Sequence, residues 1–145
     1  MKIKIFALTH KKFEVPQDKM YQPLQVGREE KEDLGYLCDN TGDNISAENC
    51  YYSELTGLYW IWKNVHTYKY VGTCHYRRYL LNEQEKIFTE AEYLELLKDY
   101  DLITTKRVVL NNSYHYGFAT NHNIHALDMT GEVIKELYPE YYDTF

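Results

Sequence analysis

Two short strand-like runs, Lys2–Leu8 and Tyr70–Cys74, flank a segment with a helical repeat, and that alternation limits the folds open to this chain. Both runs are too short for a membrane span and read as buried strands. Between them, Leu55, Leu58, Tyr59 and Trp62 recur at i, i+3, i+4 and i+7, which predicts a helix over 51–64 with Trp62 in its apolar stripe. Thr89-Glu90-Ala91-Glu92 has the spacing of a capping box and opens a helix to about Lys98, burying Tyr93, Leu94 and Leu97. Asp101–Thr105 predicts a third strand, and 123–138 a last helix stopped by Pro139. Residues 14–50 hold two of the three prolines and the polar run CDNTGDNISAEN, and read as a long loop. Strand, loop, helix, strand, helix, strand, helix is the order of an α/β sheet with helices packed on it.

At 145 residues the chain suits one domain, with 44% hydrophobic and 26% charged residues as in soluble globular proteins. A formal net charge of -6 argues against a general nucleic-acid binder. Sixteen tyrosines, against five Phe and two Trp, suit a wet cleft or an interface, although compositional drift gives the same count. Cysteines stand at 38, 50 and 74 with no CxxC pair, which fits buried thiols in a reducing compartment. The N-terminal apolar run, Ile5–Leu8, is too short for a signal peptide, and no stretch approaches membrane-spanning length. A cytoplasmic protein is expected.

Ligands of open α/β sheets bind beyond the carboxyl ends of the strands. Each expected strand here ends in cations or imidazoles: His10-Lys11-Lys12, His75 with Arg77 and Arg78, and Lys106-Arg107. Arginine forks match phosphate geometry and lysine adds a point charge, so these groups point to a phosphate or diphosphate. Pairing of the arginines with surface carboxylates is the alternative. His75 can act as a general base, a phosphate donor or a structural residue. The common phosphate loops, GxxxxGK[ST] and GxGxxG, are absent. DNTGDN, 39–44, fails as a calcium loop, because Asn44 stands where glycine is needed and Cys50 where an acid is. His115, His122 and His125 form a loose group with a weak metal-ligand spacing.

The blocks DNTGDNIS, YYSELTGLYWIWKN and YVGTCHYRRYL, in that order, resemble the signature blocks of a bacterial domain-of-unknown-function family. Its members occur in capsular and exopolysaccharide biosynthesis proteins and are taken as glycosyltransferases. IFALTHKKFEVP, DLITTKR and a helix ending in LYPEY extend the resemblance over nearly the whole chain. The resemblance implies a GT-A-like, Rossmann-type mixed sheet flanked by helices, and residues 1–145 as the N-terminal portion of one nucleotide-sugar-binding domain. It implies a sugar moved from a nucleotide donor, a UDP-sugar, to a glycan or lipid-linked acceptor. Thr9 and His10 would then lie near the base. The loop carrying Asp39, Asn40, Asp43 and Asn44 would close over base or ribose. Glu54 and Thr56 would belong to the helix before the strand that aims at the diphosphate, and Lys106 to a further strand end. Trp60 would be the better residue for sugar stacking.

Most GT-A enzymes hold Mn²⁺ or Mg²⁺ on the diphosphate with an Asp-x-Asp motif. The matching place reads His75-Tyr76-Arg77-Arg78, so the two arginines would clamp the leaving diphosphate without a cation. The family's domain continues beyond YPEYYDTF, which leaves acceptor-side residues outside this stretch and an uncovered sheet edge and face that dimerisation would cover. The protein would work in the cytoplasm, at the inner membrane face through partners. A non-catalytic nucleotide- or glycan-binding module of the same family is the second reading.

Overall fold

The computed structural model describes residues 2–109 and 111–145. The chain forms two compact units, Met1–Thr105 and Lys106–Phe145.

The first unit is built on four parallel strands, β1 (Ile3–Thr9), β2 (Tyr21–Gln25), β3 (Leu37–Cys38) and β4 (Tyr70–His75), in the order β3-β2-β1-β4. β1 lies inside the sheet and is apolar on both faces, as a strand covered by helices on either side requires. Phe6 and Leu8 join Leu24, Val26 and, from helix α2 (Leu55–Asn64), Trp60 and Ile61 in one cluster. Ile3 and Ile5 face the other way and pack with Met20, Tyr21 and, from helix α3 (Glu90–Leu96), Tyr93. Thr89 and Glu92 form the expected capping box: Thr89 Oγ1 accepts from Glu92 N at 3.4 Å, and Glu92 Oε2 accepts from Thr89 N at 2.8 Å.

Three sequence expectations differ from the structure. First, β2 and β3 arise within 14–50, the segment read as loop. Pro23 disguises β2, because proline cannot donate to a ladder and argues against an interior strand. It nevertheless pairs in register with Ala7.

Second, the helix over 51–64 is broken. A short helix α1 (Asn49–Tyr52) stops at Ser53, whose φ of 49° is left-handed. The following α2 buries Thr56, Gly57, Trp60 and Ile61 and leaves Leu55, Leu58 and Trp62 exposed. Trp62 is 67% exposed and Trp60 only 7%, the reverse of the expected assignment. Gly57 explains the choice of face: a Cβ there would lie 2.7 Å from Val26 Cγ1 and 2.9 Å from Leu8 Cδ2. Only the face bearing this glycine can approach the sheet so closely. That approach sets Trp60 edge-on to Phe6, with ring centroids 6.3 Å apart.

Third, Asp101–Thr105 forms no strand, although Ile103 packs against the cluster beneath α3.

The second unit holds helix α4 (Tyr114–Asn121), which the sequence reading missed, and helix α5 (Ile124–Leu137). Ser113 caps α4 by accepting from Tyr116 N at 3.3 Å. Asn123 caps α5 by accepting from His125 N at 3.1 Å, and a 3-10 turn follows over Pro139–Thr144. Among the described residues no helix is long and apolar enough to cross a membrane. All three cysteines are free; Cys50 is exposed, and burial pushes the Cys74 thiol up to about 12.

Candidate functional site

The chain runs from β1 through β2 to β3 on one side, then crosses to β4 on the other side of β1. This reversal opens a crevice at the carboxyl ends of β1 and β4, the place where such sheets take ligands. Leu8 is the register partner of His75 there, and His10 follows β1.

A tight turn ends β4. Arg78 N donates to His75 O at 2.8 Å, so the chain doubles back and Arg78 returns beside His75. The two arginines are thereby separated. Arg78 lines a cleft of about 360 Å³ together with Glu54, His75, Thr73 and Thr105. Arg77 instead places its guanidinium over the ring of Tyr76, 5.2 Å from the centroid.

The His75 ring is held at Nδ1 and faces a carboxylate at Nε2. Nδ1 accepts from Arg77 N at 3.1 Å, and Nε2 lies 3.5 Å from Glu54 Oε1. With the Nδ1 lone pair engaged, the ring proton belongs on Nε2 and faces the carboxylate. Burial lowers the His75 pKa; Glu54 pulls it up, while Arg77, Arg78 and His10 push it down. The ring is therefore neutral at pH 7 and presents an N–H donor.

These residues do not suit the divalent cation that most GT-A enzymes hold. Glu54 supplies one carboxylate, His75 has its free nitrogen protonated, and a guanidinium lines the same cleft. Divalent oxygen-seeking ions need several carboxylate or carbonyl oxygens together. Among the described residues no three His, Cys, Asp or Glu side chains are grouped to hold a metal ion. In the second unit, His115 and His125 each lie 4.0 Å from Asp128.

The other residues singled out from the sequence fall in separate places. Asp39 is 0% exposed, and its carboxylate accepts from Gly27 N, Arg28 N, Ser46 Oγ and Thr56 Oγ1 at 2.8, 3.1, 2.6 and 2.7 Å. Asp39 and Thr56 thus form an internal hub, joining the ends of β2 and β3 to the start of α2. Thr9 is buried, and its hydroxyl accepts from Lys11 N at 3.1 Å. Asn40 donates to Glu29 Oε2 at 3.2 Å, and Asn44 donates to Gly42 O at 3.0 Å. Asp43 accepts from Tyr59 at 3.0 Å, and its carbonyl accepts from Asn64 Nδ2 at 2.8 Å. The loop is thus laid along α2 towards its far end. Ten residues separate Glu54 from Asn64, about 15 Å of helix, so Asp43 stands well away from His75. Lys106 is exposed and opens the second unit.

Residues 4–145 match the sequence profile of a domain of unknown function, DUF4422. The chain belongs to the DUF4422 family. A solved structure of the bifunctional glycosyltransferase WbbM, in its apo form, is similar to 97% of this DUF4422 chain at 28% identity, with a TM-score of 0.75. The chain spans 30% of the length of that WbbM chain. No curated protein matches. A parallel sheet flanked by helices, in a glycosyltransferase-like fold, is the architecture of this DUF4422 chain.

Sequence reasoning missed Gly27 and Ser46, which complete the Asp39 hub; Ser46 closes the DNTGDNIS block, while Gly27 lies outside every quoted block. It also passed over Tyr76, the residue around which the crevice's aromatic and cationic groups gather. Its signal was present: a large aromatic lay between the imidazole and two guanidinia in HYRR.

Proposed function

We propose that this DUF4422 chain carries the donor side of a glycosyltransferase of capsular or exopolysaccharide assembly. The enzyme takes a sugar from a nucleotide donor, a UDP-sugar, and passes it to a glycan or lipid-linked acceptor. It works in the cytoplasm, at the inner face of the membrane. The observation that carries this reading is the turn after β4, which sets Arg78 beside His75 and Glu54 on one cleft. A cleft of about 360 Å³ is within the range of small-molecule sites. A fixed guanidinium in it can take up the charge that develops on a departing diphosphate.

His75 is a donor in this reading. Its Nε2–H exchanges Glu54 for a phosphate oxygen, and Nδ1 stays engaged by Arg77 N. Glu54, half exposed, is then free for a sugar hydroxyl. Thr9, Asp39 and Thr56 shape the crevice from inside. Asn40, Asp43 and Asn44 hold the loop in place, and ligand contact in the cleft of Arg78 falls to Glu54, His75 and Arg78.

Calorimetric titration with UDP, with and without Mn²⁺, tests this. Binding that ignores Mn²⁺ and is lost in Arg78→Ala is the expected result. Binding only with Mn²⁺ would overturn the metal-free clamp, and no binding by the folded chain would overturn the donor-site reading.

A further inference from the structure

Tyr76 is 6% exposed, and its phenolic oxygen is buried with no hydrogen-bond partner among the described residues. A phenol in that state forfeits its hydration and recovers nothing, and proteins seldom keep such a group without a use for it. Its neighbours narrow the use. His10 meets the ring edge-on at 5.6 Å, Phe13 is tilted against it at 5.6 Å, and His75 lies 4.3 Å away. Lys11 Nζ is 5.7 Å and the Arg77 guanidinium 5.2 Å from the ring centroid. Two permanent cations and an exposed imidazole thus gather around the ring that carries this unspent O–H. No carboxylate pairs with Lys11 or Arg77 among the described ion pairs, and Arg77 is outside the cleft that Arg78 lines. Phe13 belongs to the irregular segment after β1; its ring packs on Tyr36 and Tyr76, and its backbone is bonded by the side chain of Tyr36. Its hydroxyl donates to Phe13 O at 3.3 Å and accepts from Phe13 N at 3.4 Å, both long contacts. A small displacement of that segment would open a path to Tyr76.

We propose that Tyr76, Lys11 and Arg77 form a second anion subsite, in which the buried phenol donates to a phosphate oxygen and the two cations balance its charge. The subsite lies across the turn from the cleft of Arg78, and its assignment to the donor's phosphates rests on the donor-site reading above. An anionic acceptor fits this place, because Lys11 and Arg77 add positive charge beside the phenol.

Titrations of wild type, Tyr76→Phe and Lys11→Ala with inorganic pyrophosphate and with UDP test the subsite, with thermal unfolding of each free protein. Tyr76→Phe keeps the ring and removes only the unpartnered hydroxyl, so the free variant should melt at the wild-type temperature or above it. Its affinity for both probes should fall about 10- to 100-fold, the value of a hydrogen bond to a charged acceptor. Lys11→Ala, at an exposed position, should weaken both probes without changing the fold. Wild-type affinity for both probes in Tyr76→Phe overturns the subsite and leaves the donor-site reading standing. Pyrophosphate binding that depends on Tyr76, with UDP bound no more tightly, supports the subsite and removes the nucleotide reading. A wild-type chain that binds neither probe overturns both.

Discussion

Asp39 Oδ2 accepts a hydrogen bond from Thr56 Oγ1 at 2.7 Å, in a carboxylate closed off from solvent. Its other partners are Ser46 Oγ and the backbone N–H groups of Gly27 and Arg28. A buried carboxylate is tolerable only while its donors hold, and the donors in turn have no water to fall back on. Asp39→Asn turns an N–H₂ towards two of those four donors and should cost more than about 2 kcal/mol of stability. Thr56→Val, which removes one donor, should cost about 1–3 kcal/mol. Urea denaturation measures both; a change below about 0.5 kcal/mol in Asp39→Asn would remove the hub from the account of the fold.

Gly57→Ala sets two effects against each other. Alanine is the better helix former by about 1 kcal/mol. The added methyl, however, meets Val26 Cγ1 at 2.7 Å and Leu8 Cδ2 at 2.9 Å, both in the core. Overpacking of a buried contact costs about 1–3 kcal/mol, so the variant should be destabilised by roughly 1 kcal/mol. A Gly57→Ala protein that is more stable than wild type would show that α2 does not pack this closely.

The two tryptophans of α2 should separate cleanly. Trp60 packs with Phe6 and Ile61, and its indole N–H donates to Thr41 O at 2.8 Å. Trp60→Ala should lose about 3–5 kcal/mol. Trp62, mostly exposed, should lose less than about 1 kcal/mol on the same change. Equal losses, read from denaturant midpoints, would mean that the helix presents its other face to the sheet.

The depressed pKa of His75 gives a signed pH dependence. The folded group binds its proton less readily than the unfolded one, whose value is about 6.5. Its contribution to stability is therefore complete above about pH 6.5 and declines as pH falls towards the folded-state pKa, where both forms become charged. His75→Gln removes the titration, so its stability should vary less than wild type's between pH 7 and pH 5. Parallel curves for the two proteins would show that His75 is not held neutral.

The parts legible in the sequence were those with a local physical signature. The Thr89–Glu92 box is written in four consecutive residues, and the runs that became β1 and β4 are short, mostly apolar segments. What escaped was decided by distant partners. β2 contains Pro23, whose missing N–H counts against a strand until Ala7 is known to lie beside it. α2 carries apolar residues on two faces, and periodicity preferred the larger side chains of Leu55, Leu58 and Trp62. The sheet chose the other face because Gly57 and Thr56 are small. In the site, His75, Arg77 and Arg78 were found as a triplet at a strand end. The turn that divides the arginines between a cleft and an aromatic ring depends on a backbone bond that composition does not announce.

The pairing of Ile3 with Tyr70 has a consequence for how the crevice comes into being. The hub around Asp39 closes from neighbouring stretches of chain and can form early. β4 instead pairs from a distant part of the sequence, an ordering step with a somewhat higher loop-closure cost. Until it arrives, His75 is not beside Glu54 and Arg78 has no cleft to line. Any anion held by the finished crevice binds only after that arrival, and would draw the folding chain through that step by mass action. Recognition at β4 therefore adds its free energy to the finished fold.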